Sequence, residues 1–174
     1  MTGTLDESLI RAATAADAPS IATIYNWYVA ETVITFEEEP VPATEMAARI
    51  ASCQGPWLVL EDHGALLGYA YGKPYHARSA YRFSYESTIY LHHDAVGRGH
   101  GLRLYGALLD ALTAVPVHRV IGAIALPNAA SVALHERLGF VKTGHLSEVG
   151  HKLGGWVDVG YWCRELASAE ACLG

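Results

Sequence analysis

The sequence predicts an α+β domain whose sheet is largely antiparallel, and three observations lead there. The chain has 174 residues, a length that fits one domain of common size, ~100–150 residues or slightly more, with room to bury most of its apolar surface. Apolar patterns of period 2 and period 3.6 follow one another along its length, with several strands arriving in adjacent pairs. No internal repeat, low-complexity tract or linker interrupts that order, so one domain over residues 1–174 is expected.

The elements follow in order. Leu9-Ile10-Arg11 reads as a short strand, and Thr14-Ala15-Ala16-Asp17 opens a helix in which Ile21, Ile24 and Tyr28 recur at helical spacing. Glu37 to Pro42 is an acidic, proline-bearing loop. Thr44, ahead of Glu45, Met46 and Ile50, is expected to cap a second helix that ends near Gly55-Pro56. Trp57 to Leu60 and Leu66 to Tyr71, separated by Asp62-His63-Gly64, read as a hairpin. A polar, aromatic loop from Lys73 to Tyr81 leads into a long strand, Phe83 to Leu91, with Glu86, Thr88 and Tyr90 on one face because side chains two apart point the same way. Leu102, Leu104, Tyr105, Leu108, Leu109 and Leu112 form the apolar stripe of a helix that ends before Pro116. Val117 to Leu126 returns to a strand. Asn128 opens a further helix through Ala133, Leu134 and Leu138, closed by Gly139. Phe140 to His145 and Val157 to Arg164 are the last strands.

Composition excludes several classes. Apolar runs stop short of the ~20 residues of a membrane span. The segment Met1 to Glu7 carries Asp6 and Glu7 where a secretory signal would be basic and then apolar, so a cytoplasmic protein is expected. A formal charge of −6 with scattered basic residues argues against a sequence-independent grip on nucleic acid. Cys53, Cys163 and Cys172 form neither a disulfide framework nor a zinc ribbon. Of the 9 histidines, His92 and His93 are adjacent and are expected on opposite faces of a strand, and nothing has a metalloprotease spacing, so no metal site is expected.

The most informative stretch is Leu91-His92-His93-Asp94-Ala95-Val96-Gly97-Arg98-Gly99-His100-Gly101-Leu102, a strand that runs through a glycine-rich turn into a helix. Backbone N–H groups at such a helix N-terminus bind phosphate without a dedicated basic side chain. It is not a Walker loop, which needs Lys-Ser or Lys-Thr after the last glycine, nor a dinucleotide fingerprint, since residue 102 is Leu. Taken alone it is equally a tight turn before a buried helix.

Strand, Gly-x-Gly turn, helix and a following strand that leads to Leu126-Pro127-Asn128 and then His135-Glu136-Arg137-Leu138-Gly139-Phe140 together resemble the GNAT superfamily of acetyl-CoA-dependent N-acetyltransferases. The likeness extends over nearly the whole chain to the phosphinothricin and methionine sulfoximine N-acetyltransferase family, through Arg11 to Asp17, Pro56 to Val59, Glu86 to Tyr90 and Gly154 to Trp162. It implies the GNAT fold, a mixed, mostly antiparallel sheet flanked by helices. It implies acetyl-CoA as co-substrate, a small-molecule amine as acceptor, and a homodimer. By the same resemblance the backbone around Leu91 pairs with the pantetheine arm, Gly97, Arg98, Gly99, His100, Gly101 and Leu102 cradle the pyrophosphate, and Asn128 contacts the cofactor beyond it. Phe36, His76, Arg78, Tyr81, Thr88 and Tyr90 resemble the substrate pocket, with Arg78 suited to bidentate pairing with an acid group. Val96 stands where the superfamily usually has Gln or Arg, and His76 where the closer family tends to have Lys.

An aliphatic amine is mostly protonated near neutral pH, so transfer needs a proton acceptor. Glu86 is the first candidate, because it lies on the strand that feeds the glycine-rich turn; holding the substrate ammonium is the alternative role. His135 occupies the place where many GNAT enzymes carry a Tyr that protonates the departing thiolate, and a structural histidine is its alternative. Two rival functions remain open from sequence: acetylation of a protein N-terminus or lysine, and a catalytically silent acyl-CoA-binding module.

Overall fold

A computed structural model describes residues 8–167 together with Cys172. The acidic segment Met1 to Glu7, on which the expectation of no secretory signal rests, lies outside the described residues. The strands are β1 (Leu9–Ala12), β2 (Trp57–Asp62), β3 (Ala65–Pro74), β4 (Ser84–Leu91), β5 (Arg119–Leu126), β6 (Val141–Lys152) and β7 (Gly155–Glu165). The helices are α1 (Ala18–Glu31), α2 (Ala43–Ser52), α3 (His100–Leu112) and α4 (Ala129–Arg137). The strands form one sheet in the order β1-β2-β3-β4-β5-β7-β6, antiparallel except where β4 meets β5.

Both faces of the sheet are covered, and the alternation of side chains divides the core in two. Val59 and Tyr69 pack toward Ile21, Ile24, Tyr28 and Met46 of α1 and α2, whereas their neighbours Leu60 and Ala70 pack toward Leu104, Leu108 and Leu112 of α3. These three leucines are completely buried, and each is worth about 1.5–3 kcal/mol by burial alone. Between β2 and β3, His63 and Gly64 both take positive φ, which makes the two-residue hairpin turn expected there.

Three local expectations are corrected. Thr44 does not cap α2: Pro42 holds the cap position, its carbonyl accepts the Met46 N–H at 3.0 Å, and Thr44 lies inside the first turn. Lys73 and Pro74 are not loop but the end of β3, opposite Glu86 and Tyr85. Strand β6 runs seven residues past His145, to Lys152, with a bulge between Leu146 and Gly150. There Asp158 accepts from the Glu148 N–H at 2.8 Å and lies 2.7 Å from His145 Nε2. Most of β6 is exposed, which removes the alternating pattern that reveals a strand in sequence.

The feature that positions a site is the join of β4 and β5. Their parallel pairing covers only Ser84↔Arg119, Tyr85↔Val120 and Glu86↔Ile121. Beyond it β4 stays with β3 as far as Leu91↔Gly68, and β5 stays with β7 as far as Leu126↔Asp158. Residues 87–91 and 122–126 therefore splay apart and open the sheet.

Candidate active site

A cleft of about 1150 Å³ passes through the sheet at this splay. The His92 N–H donates to the Leu67 carbonyl at 2.7 Å, which fixes the ladder: the backbone groups of Glu86, Thr88 and Tyr90 face β3, and those of Ile89 and Leu91 face the gap. The Leu91 carbonyl accepts from Tyr28 Oη at 2.7 Å. What β4 presents to the gap is thus an amide edge that an extended, amide-bearing molecule can pair with.

At the end of that edge the chain turns through Gly97 and Gly99, with φ of 82° and 84°, a conformation that glycine adopts without steric cost. Gly99 is the N-cap of α3, so the N–H groups of the first helical turn, from His100 onward, have no intrahelical acceptor and the positive end of the helix dipole points outward. A methyl group built on Gly97 or Gly99 would meet nothing within 4 Å, so the approach to the turn is open. His100 Nδ1 is buried there without a hydrogen-bond partner. An unsatisfied ring nitrogen beside a row of free N–H groups fits a ligand rich in phosphate oxygens. Asn128 caps α4 across the gap, its Oδ1 accepting from the Ser131 N–H at 3.1 Å.

On the α1–α2 side, Glu86, Thr88 and Tyr90 share a face with their cross-strand partners Lys73, Tyr71 and Tyr69. Glu86 is partly buried, with Lys73 Nζ 4.0 Å away. Tyr90 packs against Tyr25 and Tyr28 at ring separations of 5.2 and 5.0 Å, and Trp57 stacks on Tyr71 at 4.2 Å. Burial raises the pKa of Tyr69, Tyr71 and Tyr90, so the phenols of this aromatic wall stay un-ionised at neutral pH. The loop between α1 and α2 adds Thr35, Phe36 and Glu37. Arg49 of α2 pairs with Glu37 at 2.8 Å and Glu45 at 3.1 Å.

His135 approaches from the opposite, α3–α4, side and is 4 % exposed. Its Nδ1 is 2.8 Å from the Ser131 carbonyl, which can only accept, so Nδ1 carries the proton and Nε2 accepts from Tyr105 Oη at 3.0 Å. Tyr105 Oη in turn is 2.7 Å from Ser87 Oγ on β4. Burial lowers the pKa of His135, and the imidazole is neutral at pH 7.

Seven residues expected at the site meet in the cleft: Phe36, His76, Glu86, Thr88, Tyr90, Asn128 and His135. Leu91 and Gly97 to Leu102 are not among the residues that line it; they follow Tyr90, its last lining residue on β4, along the chain. Tyr81 stands one step back, against Tyr75 and His76. Arg78 is exposed in the turn before Tyr81 and is not part of the wall; the cations on the wall are Lys73 and Arg49. His92 and His93 do not diverge, because the strand ends at Leu91; their rings stack 4.4 Å apart beside Asp94. Tyr25, Thr35, Tyr71, Lys73 and Tyr105 escaped the sequence reading. Tyr71 and Lys73 were findable, since antiparallel pairing puts them on the face of Thr88 and Glu86 once the register is known.

Comparison with known proteins agrees with this geometry. Residues 10–160 match the acetyltransferase (GNAT) domain family. Phosphinothricin N-acetyltransferase of Streptomyces viridochromogenes is 41% identical over 90% of this chain and 86% of its own. The L-methionine sulfoximine/L-methionine sulfone acetyltransferase of Pseudomonas aeruginosa is 38% identical over 86% of this chain and 90% of its own. The solved structure of a GNAT phosphinothricin acetyltransferase from Sinorhizobium meliloti in complex with acetyl-CoA superposes with a TM-score of 0.89 at 38% identity, covering 92% of this chain and 89% of that one. The splayed sheet, the glycine turn at the head of α3 and the match over residues 10–160 together place this chain in the GNAT acetyltransferase family.

Proposed function

We propose that the chain acts as one domain over residues 1–174 that moves an acetyl group from acetyl-CoA to the amino group of a small amino-acid analogue of the phosphinothricin, methionine sulfoximine or methionine sulfone kind. The observation that carries this reading is the cleft at the splay, with the open edge of β4 running toward the glycine turn at the head of α3 and a carboxylate among tyrosines on the other face. Acetyl-CoA is the acyl donor and supplies the thioester. The first turn of α3 with Gly97 to Leu102 would hold its phosphates, the edge at Ile89 and Leu91 its amide-bearing arm, and Asn128 the opposite wall.

The acceptor amine enters past Tyr90 and Phe36 as an ammonium. Glu86 takes one proton, directly or through one water, and the freed lone pair forms the C–N bond as the C–S bond breaks; the thiolate leaves with that electron pair, and the second proton, shed by the acylated nitrogen, passes to it or to water. Direct transfer needs no acetyl-enzyme. Thr88, Tyr90, Phe36 and His76 shape the pocket, with Tyr81 supporting His76. Lys73 and Arg49 are better placed than Arg78 to meet the acceptor's acid group. His135, with its imidazole neutral and both nitrogens occupied, holds Ser131 on the wall and does not itself protonate the departing thiolate, which corrects the role expected of it.

The β6–β7 hairpin leaves Val141, Leu146, Val149, Leu153 and Trp156 exposed along a sheet edge, which favours a homodimer built on that edge. Dependence on acetyl-CoA favours the cytoplasm. The functional test is steady-state release of CoA thiol against the three amino acids. Saturation with at least one is the expected outcome; acetyl-CoA binding without release would leave a silent acyl-CoA-binding module.

A further inference from the structure

Strand β6 reaches across the open sheet and touches the loop between α1 and α2. Gly150 lies just past the β6 bulge, and a methyl group built on it would overlap the ring of Phe36. Two residues on, the Lys152 side chain is 3 % exposed, and its ammonium donates to the Thr35 carbonyl at 2.8 Å and to the Tyr28 carbonyl at 3.5 Å. Thr35 Oγ1 is 2.6 Å from Tyr25 Oη, and Thr35 and Phe36 both line the cleft, as does Val149 of the bulge itself. A lysine amine is rarely buried, and here its donors go to backbone carbonyls of one short segment. Phe36 is 43 % exposed and is not part of the buried core, so its ring can be displaced outward by a larger residue at 150.

We infer that Gly150 and Lys152 are positioning residues that set the width of the acceptor pocket, Gly150 by admitting the Phe36 ring and Lys152 by tying down Thr35. The inference rests on the acceptor reading above, because the wall these residues fix is the acceptor wall. Asp158 belongs to the same device, since it pins the bulge that carries residues 147–150 over the cleft. The segment meets the loop of Thr35 and Phe36, which lies on the acceptor side, so the two substrates are expected to respond differently.

The test is a split of kinetic constants in the full-length enzyme. Gly150→Ala is expected to raise KM for the accepted amino acid about tenfold, the scale on which small misplacements act, and to leave KM for acetyl-CoA within about twofold. Gly150→Ala combined with Phe36→Leu is expected to recover most of that loss. An unchanged acceptor KM, an equal rise for acetyl-CoA, or no recovery in the double variant overturns the inference. Lys152→Met provides a readout without catalysis: hydrogen exchange of the amides of Ile34 to Glu37 is expected to quicken while that of α3 does not change. Unchanged exchange overturns the role of Lys152. If the wild type acetylates no amino acid but exchange responds as expected, the acceptor reading fails and the positioning contacts stand.

Discussion

Glu86 and His135 reach the cleft from opposite faces of one sheet, and their surroundings suit them to different work. Glu86 keeps its carboxylate part-exposed on the acceptor side, within reach of an incoming ammonium. Glu86→Gln is expected to lower kcat/KM by about 10²–10⁴, the usual worth of a positioned base, with the dissociation constant of acetyl-CoA unchanged; full activity across pH 6 to 9 would remove the assignment. His135 is buried and neutral. Its folded pKa lies below the ordinary 6.5, so the unfolded chain takes up a proton more readily than the folded one. The stability this contributes is present above about pH 6.5 and falls as pH drops below it. Denaturant titrations at pH 7.5 and 5.5 are expected to show a smaller difference for His135→Gln than for the wild type. Glu86 was legible from period-2 spacing and resemblance. Tyr105 was not: on an amphipathic helix it is indistinguishable from core, and its hydrogen bonds to His135 and Ser87 are what set it apart.

At the scale of elements, the strand and helix order was legible wherever one face is buried and the other wet. It failed at β6, whose exposed residues carry no alternation, and at α2, where the proline before the helix takes the cap. One junction holds the start of the fold together. Arg11 of β1 bonds Asp17 ahead of α1 at 2.8 Å and Glu61 of β2 at 2.8 Å. Mainly through the Arg11 bond, the Asp17 carboxyl is held at about 2 against its ordinary 3.8. Because that folded value is depressed, the stability is fully present above pH 3.8 and is lost as pH falls toward 2. Asp17→Asn is expected to cost on the order of 2 kcal/mol at pH 7, with the gap to wild type closing in acid, as read by thermal unfolding across pH. Gly99 matters for a different reason. Gly99→Val puts a branched residue at φ 84° and is expected to weaken acetyl-CoA binding at least tenfold, measured by calorimetry, with the acceptor pocket unaltered.

In the whole molecule, the cleft lies in the gap where two neighbouring strands stop pairing. In the proposed reaction donor and acceptor reach that gap from different sides of the sheet, with Glu86 on β4 and the glycine turn in the segment that follows it. The splay was not legible from hydrophobic pattern, because pairing length depends on the contacts that β4 makes with β3 and on those that β5 makes with β7, a strand that follows it only after α4 and β6. The acceptor side was the harder half for the same reason: its wall is assembled from the α1–α2 loop, β3, β4 and the β6 bulge. The most direct measurement is a reaction with acetyl-CoA labelled with ¹³C in the acetyl group, each of the three amino acids in turn, and the products examined by NMR and mass spectrometry. The account predicts that the label appears on the α-amino nitrogen of the amino acid, with one CoA thiol released for each acetyl transferred. Label found on protein lysines or N-termini, or only as free acetate, would contradict it.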